Sequence, residues 1–300
     1  MVDRHFQTEN GSYLLHIDEG ASCSRTTIFL HGPGFSSAAE QSIFAPHLSG
    51  AGRHIWFDQL GCGESSVLAP DRMSWDACVD DVAAIAEEFG DGPIRFIGHS
   101  AGVKVIDDLV RRYRSLVAAA VWISPANVFS DAFKTIVSRS VAEGRLDPNS
   151  FTSEQQRQFD DCVSTSEEDF GPDQVLSFLE LASMIRDVHE LYWSGPVTMQ
   201  AHMLATEGVF VAPEAFLKLS SDYFSRGEMP PPNYEGIPTL IIYSPDDDVT
   251  EWEQHGAAAA RALPHAEVCK VEGGAHFVHL QKPRETAREI SRFLAANMPI

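Results

Sequence analysis

A short strand-like run at residues 94–97, Ile-Arg-Phe-Ile, stops at Gly98-His99-Ser100-Ala101-Gly102, and helical spacing begins at Val103 and continues to 113. That succession is strand, sharp turn, helix. A serine at the apex of such a turn is held in a backbone conformation that L-residues rarely adopt, and strand and helix crowd so closely that small residues are needed two positions to either side. Gly98 and Gly102 meet that need. The hydroxyl then points away from the main chain at the end of the strand, where a nucleophile has to stand. Turns built from glycine and serine are common, so this reading depends on partners elsewhere in the chain.

Upstream, residues 4–17 alternate around Asn10-Gly11 and predict a hairpin. A buried strand at 26–30 leads into His31-Gly32-Pro33-Gly34, and residues 38–48 have helical spacing. A strand at 53–57 ends in the loop Asp58-Gln59-Leu60-Gly61-Cys62-Gly63-Glu64-Ser65. Ser74 caps a helix through 89, and 116–123 is a further apolar strand closed by Ser124-Pro125. Strands alternating with helices at this spacing predict a mostly parallel sheet covered on both faces.

From about 126 the rhythm changes. Helical periods at 131–143, 153–163, 173–193, 196–207 and 213–224 come with no strand between them. They predict an all-helical insertion over 126–235, returned to the sheet by Met229-Pro230-Pro231-Pro232. Core residues 1–125 and 236–300 flank it. The sheet pattern resumes with a strand at 239–243, a helix at 251–263, a strand at 266–271 and a last helix over 283–297 that opens on Pro283.

Charge narrows the partners. The chain carries a net −21, and residues 126–235 hold 18 Asp and Glu against 7 Lys and Arg. So acidic a surface argues against nucleic acid or an anionic membrane as partner. No apolar run approaches the roughly 20 residues of a membrane span, and the N-terminus lacks the apolar stretch of a secretion signal, so a cytoplasmic protein is expected. Cys23, Cys62, Cys78, Cys162 and Cys269 are odd in number and share no C-x-x-C spacing, which predicts reduced thiols and no zinc site.

Ser100 needs a base within hydrogen-bond reach and a third group to orient that base. Two late loops follow predicted strands and therefore lie at the same sheet edge as Ser100. One contains Asp246-Asp247-Asp248 and the other Gly273-Gly274-Ala275-His276. His276 is the candidate base, with His279 as the competing histidine, and one of the three acids is its partner. The order Ser, Asp, His differs from the orders of the chymotrypsin and subtilisin arrangements.

On these residues the chain resembles the α/β-hydrolase superfamily, with the insertion similar to the helical cap such proteins carry. The resemblance implies a mostly parallel eight-stranded sheet with helices on both faces. Ser244-Pro245-Asp246-Asp247 is similar to the family's Gly-x-x-Asp acid loop, which selects Asp247 beside Ser100 and His276. His31-Gly32-Pro33-Gly34 with 58–65 is most similar to the proline iminopeptidase and amino-acid amidase branch. An oxyanion hole is then implied at the Ala101 N–H and at a donor after Gly32. Pro33 has no N–H, so Gly34 is the expected second donor, with Phe35 as the alternative.

Residues expected around the substrate are Pro33, Phe35, His99, Tyr192, Trp193 and Met203. The last three belong to an aromatic and methionine set with Phe178, Met199 and Phe210, for which helix packing is the commoner use. The expected activity is a serine hydrolase that cleaves a small-molecule amide or ester through an acyl-enzyme, without metal or organic cofactor. Three alternatives stay open: an aminopeptidase; a lyase, cyclase or isomerase in which Ser100 only hydrogen-bonds; and a non-catalytic ligand receptor that retains the triad.

Overall fold

Period-two alternation in the strands supplies two apolar faces at once. In the strand Thr26–Leu30 (β3), Ile28 and Leu30 face one cluster while Phe29 faces the other, and Phe96 and Ile97 divide in the same way along the strand Ile94–His99 (β6). Val117–Ile123 (β7) sends Ala120 and Trp122 one way and Val121 and Ile123 the other. Each large apolar side chain buried in this way contributes about 1.5–3 kcal/mol. A sheet so built must be covered on both faces.

The computed structural model describes residues 1–20, 25–32, 35–48, 52–67, 70–126, 129–193, 213–226 and 229–297. Cys23, Pro33, Gly34, Met199, Met203, Phe210 and the helix expected over 196–207 lie outside the described residues. The remaining strands are Val2–Gln7 (β1), Gly11–Asp18 (β2), Arg53–Trp56 (β4), Ser66–Val67 (β5), Thr239–Tyr243 (β8) and Glu267–Lys270 (β9). Their order is β1-β2-β4-β3-β6-β7-β8-β9, with the two-residue β5 paired to β2 as a ninth strand. β1, β2 and β4 are antiparallel neighbours, and every pairing from β4 to β9 is parallel.

Helices Trp75–Phe89 (α1) and Gly102–Arg112 (α2) cover one face, with Val79, Val82, Ile85, Ile106 and Leu109 in its core. Ser74 accepts the Ala77 N–H at 3.0 Å as the expected cap. The other face is closed by Phe44 and by Ile290, Phe293 and Leu294 of the C-terminal helix Pro283–Ala296. Between β7 and β8 the described residues contain helices Phe129–Ala142 (α3), Ser153–Ser164 (α4), Pro172–Ala182 (α5) and Pro213–Ser225 (α6). Phe133, Ile136, Val175, Phe178 and Leu181 make a third core there, which also takes in Ala101 and Val249. The helical segment thus rests on the carboxyl edge of the sheet.

Three expected helices are less regular. The one at 38–48 is a wide turn over Glu40–Phe44 followed by a 3-10 turn at Ala45–His47, because Pro46 has no N–H to continue a ladder. The one at 173–193 ends at Ala182, and Asp187 takes a left-handed backbone (φ 50°) before a 3-10 turn at Val188–Leu191. The one at 251–263 starts as a wide turn, Trp252–Gly256, and becomes α-helical over Ala257–Ala262 (α7). Among the described residues no helix is long and apolar enough to cross a membrane. Cys78, Cys162 and Cys269 are free thiols, the first two of them buried, and Cys62 is buried as well.

His54 in β4 is buried, and its Nε2 has no partner among the described residues. Burial, with a smaller contribution from the charge of Arg95, pushes its pKa down to about 4. In the unfolded chain the same group titrates near 6.5. As pH falls below about 6.5 the unfolded chain takes up a proton that the fold refuses until about 4, so the stability present at neutral pH is lost across that window. His54→Gln should therefore flatten the acid side of the stability curve by about 1.4 kcal/mol per pH unit relative to the parent. Urea unfolding at several pH values between those limits measures the difference; parallel curves would show that His54 is not a buried neutral base.

Candidate active site

Ser100 stands at the end of β6, a central strand flanked by β3 and β7, with a left-handed backbone (φ 55°). Its N–H donates to the Ile123 carbonyl at 3.0 Å, which ties the turn to β7. A Cβ at position 102 would fall 2.2 Å from the Leu30 oxygen and 2.8 Å from that of His31. At position 98 it would fall 2.8 Å from Ile106 Cδ1 and 2.9 Å from the Val103 nitrogen. Both glycines are therefore demanded by crowding. Ala101 is the N-cap of α2, and among the described residues its N–H makes no hydrogen bond. A free N–H at the positive end of a helix suits a developing anion.

Asp247 and His276 meet at the same edge on the loops after β8 and β9. His276 Nδ1 lies 3.1 Å from Asp247 Oδ2 and 3.3 Å from Oδ1, with both side chains buried. An ionised carboxylate only accepts, so Nδ1 carries the proton and Nε2 keeps its lone pair. The carboxylate is saturated with donors: the Val249 and Thr250 N–H groups reach Oδ1 at 2.9 Å each, and the Thr250 hydroxyl reaches Oδ2 at 2.7 Å. Burial alone would raise the Asp247 pKa. The His276 ring, which faces the carboxylate with a positive charge once Nε2 is also protonated, its hydrogen bond and the Thr250 donors outweigh that and hold the carboxyl well below the usual range. Among the described residues Ser100 Oγ makes no hydrogen bond to His276, a contact that in a free enzyme often tightens only once substrate is bound.

The loop after β3 is braced from β4. His31 Nε2 accepts the Gln59 N–H at 2.9 Å, so its Nδ1–H donates to the Gly32 carbonyl at 2.6 Å, and the Gln59 amide donates to the His31 carbonyl. Asp58 accepts the Ser37 and Glu64 N–H groups, which makes it a loop anchor. Of the two expected second oxyanion donors, Gly34 lies outside the described residues. Phe35 donates its N–H to the Gly32 carbonyl at 3.3 Å and is occupied in that turn.

The expected substrate residues divide. Tyr192 is partly buried with its ring 5.5 Å from that of His276, and Phe35 lies near Phe277 at 5.9 Å. Trp193 is buried and stacked on Phe277 at 5.0 Å, where that aromatic pair closes the second core. His99 also lies inward. It is buried behind His276 with Nε2 at 2.9 Å from the His276 carbonyl oxygen, since β6 directs position 99 into the sheet's second face. Phe178 stacks on Phe133 at 4.3 Å as core. Pro33 and Met203 lie outside the described residues.

Neighbouring acids and histidines sort cleanly. Asp248 pairs with Arg139 of α3 at 2.9 Å, and the Asp246 N–H bonds Ser244 Oγ, so neither faces His276. His279 is paired with Glu40 at 3.1 Å. The residue missed from sequence is Thr250, whose place three positions after Asp247 is the spacing of a side-chain-to-backbone turn. Glu40 carried no signal, because its partner His279 lies far along the chain.

Crowding at Gly102 generates a test. Gly102→Ala should cost several kcal/mol or yield no soluble protein, since main-chain carbonyls cannot step aside. Gly144→Ala, at a positive φ with nothing within 4 Å of its Cβ, should cost only about 1 kcal/mol. Chemical denaturation of the two variants measures this, and equal losses would contradict the crowding.

Comparison with known proteins agrees with this architecture. A search of curated proteins by sequence finds no match. In solved structures the chain is similar to a proline iminopeptidase from Mycobacterium smegmatis, at TM-score 0.66 and 18% identity over 99% of this chain and 98% of that one. It is also similar to a thermophilic esterase from Thermogutta terrifontis, at 0.63 and 16% over 96% and 95%, and to an esterase from Exiguobacterium antarcticum, at 0.64 and 14% over 95% and 96%. At such identities the likeness concerns the fold. The profile of the alpha/beta hydrolase fold family matches residues 27–283, a span that runs from β3 to the start of the last helix and includes Ser100, Asp247 and His276; the chain belongs to that family.

Proposed function

We propose that the protein is a serine hydrolase that cleaves a small-molecule ester or amide through an acyl-enzyme. The observation that carries this reading is the left-handed backbone of Ser100, a strained conformation kept between two glycines at the sheet edge where a buried Asp247–His276 pair also ends. Strain of that kind persists where the surroundings enforce it, and it presents the hydroxyl clear of the main chain.

In the proposed reaction Ser100 Oγ attacks the substrate carbonyl carbon while His276 Nε2 takes the hydroxyl proton. Asp247 holds the ring through Nδ1–H and stabilises the imidazolium. The carbonyl oxygen becomes an oxyanion that accepts from the Ala101 N–H, with Gly34 the proposed second donor. Collapse expels the alcohol or amine, which leaves with the proton from Nε2. Water then attacks the acyl-Ser100 ester by the same route and releases the acid. Phe35 and Tyr192, whose rings lie near those of Phe277 and His276, are the described residues proposed to contact substrate.

Ser100→Ala should abolish hydrolysis of a p-nitrophenyl ester with the fold intact, and a fluorophosphonate should add mass to Ser100 of the parent protein only. Absence of labelling in folded protein would instead favour a lyase, cyclase or isomerase. Asp247→Asn keeps the shape but permits the wrong imidazole tautomer, and should lower kcat by about 10⁴-fold. The acidic helical segment and the iminopeptidase likeness favour including α-amino substrates. Faster turnover of amino-acid p-nitroanilides than of simple esters would identify an aminopeptidase.

A further inference from the structure

Three imidazoles lie in series at the end of the sheet. The His99 ring centroid is 4.8 Å from that of His276 and 4.5 Å from that of His279, and all three side chains are buried. His99 Nε2 is 2.9 Å from the His276 main-chain oxygen. A carbonyl can only accept, so Nε2 carries the proton. His279 Nε2 lies 3.1 Å from Glu40 Oε1, with Phe29, Phe44 and Phe277 around the histidine. Among the described residues Glu40 Oε2 and His279 Nδ1 have no partner, so little polar surrounding competes with this contact.

The connectivity gives the cluster its meaning. Glu40 begins the helical turn that follows the loop after β3. His99 immediately precedes Ser100, and His279 sits in the short helix Val278–Gln281 (α8), three residues after His276. One buried point therefore joins the nucleophile turn, the base loop and the segment beyond the expected oxyanion loop.

We propose that His99 and the Glu40–His279 pair are positioning residues that fix the main chain and ring of His276 relative to Ser100. This rests on the reading of Ser100 and His276 given above. His99 acts by its Nε2–H bond to the His276 carbonyl and by ring contact, and the Glu40–His279 pair holds the far side of the His99 ring. A neutral His99 is needed, because a cation there would oppose the imidazolium that forms on His276. Burial, and after it the neighbouring His279, His276 and His31, hold the His99 pKa well below its ordinary value, against the one favourable bond to the His276 carbonyl. Glu40, His99 and His279 also present donor atoms within 4.8 Å of one another, a grouping open to a divalent cation. The direct Glu40–His279 bond and the engagement of His99 with a carbonyl favour the hydrogen-bonded arrangement.

The test compares His99→Phe, which keeps a ring but removes the donor, with His99→Gln, whose amide can restore it. On a p-nitrophenyl ester His99→Phe should lower kcat by about 10- to 100-fold with KM changed by less than about twofold, and His99→Gln should recover most of the loss. The low-field proton resonance of His276 Nδ1–H should shift in His99→Phe and stay in place in His99→Gln. Unchanged kcat in folded His99→Phe, or equal losses in the two variants, overturns the proposal. So does one equivalent of divalent metal in the purified wild-type protein. Should His99→Phe not fold, ¹⁵N spectra of the wild type decide: His99 should stay neutral with its proton on Nε2 at the pH where an ordinary imidazole is half protonated, near 6.5, and a His99 that is protonated there sinks the idea. The His276 resonance requires no turnover. A wild type inactive on every ester, whose resonance still responds to His99→Phe, would refute the hydrolase reading and leave the positioning role standing.

Discussion

The Cα of Gly102 lies so close to the carbonyl oxygens of Leu30 and His31 that no side chain can be attached there. That contact presses the amino end of α2 against the end of β3 and brings the loop after β3 beside Ser100. β3 pairs with β4 on one side and β6 on the other, so the contact falls where the strand order reverses. An open parallel sheet has its natural crevice at such a point. The strained Ser100 backbone, the Ala101 N–H and the braced loop around His31 are all arranged about it.

Buried hydrogen bonds then sew the remaining strand ends to this point. The Ser244 hydroxyl donates to the Gly274 carbonyl at 2.6 Å, and His99 donates to that of His276. Each links loops from different strands in a dry setting, where leaving one partner unpaired costs on the order of 1–3 kcal/mol. Asp247 shows the same economy of place. Its charge is tolerated in the interior because backbone, hydroxyl and imidazole donors surround it, and that same shell sets the tautomer of His276.

The architecture was largely legible because strand alternation and glycine crowding are local. Residues 26–30, 94–97 and 239–243 read as strands and are strands, and Gly98 and Gly102 announced the turn before any contact was known. The choice of Asp247 among three adjacent acids was open on the residues alone. In space Asp247 is the one of the three that meets His276, since Asp248 turns to Arg139 and Asp246 stays in its own turn. That Trp193 stacks on Phe277 could not be read from the sequence, where an aromatic near a proposed pocket and an aromatic that closes a core look alike. The burial of His99 was hidden for the related reason that adjacency to Ser100 in sequence is not exposure beside it.

The sequence by itself determined what depends on near neighbours: the strand periods, the cap at Ser74, the glycines about Ser100 and the order of serine, acid and histidine along the chain. The tertiary structure alone decided which side chains share a buried environment. Glu40 reaches His279 across most of the chain, Thr250 completes the shell of Asp247, and His99 turns inward to the His276 carbonyl. These pairings rest on desolvation and on the direction of hydrogen-bond donors, which are properties of a place in the fold and not of any stretch of residues.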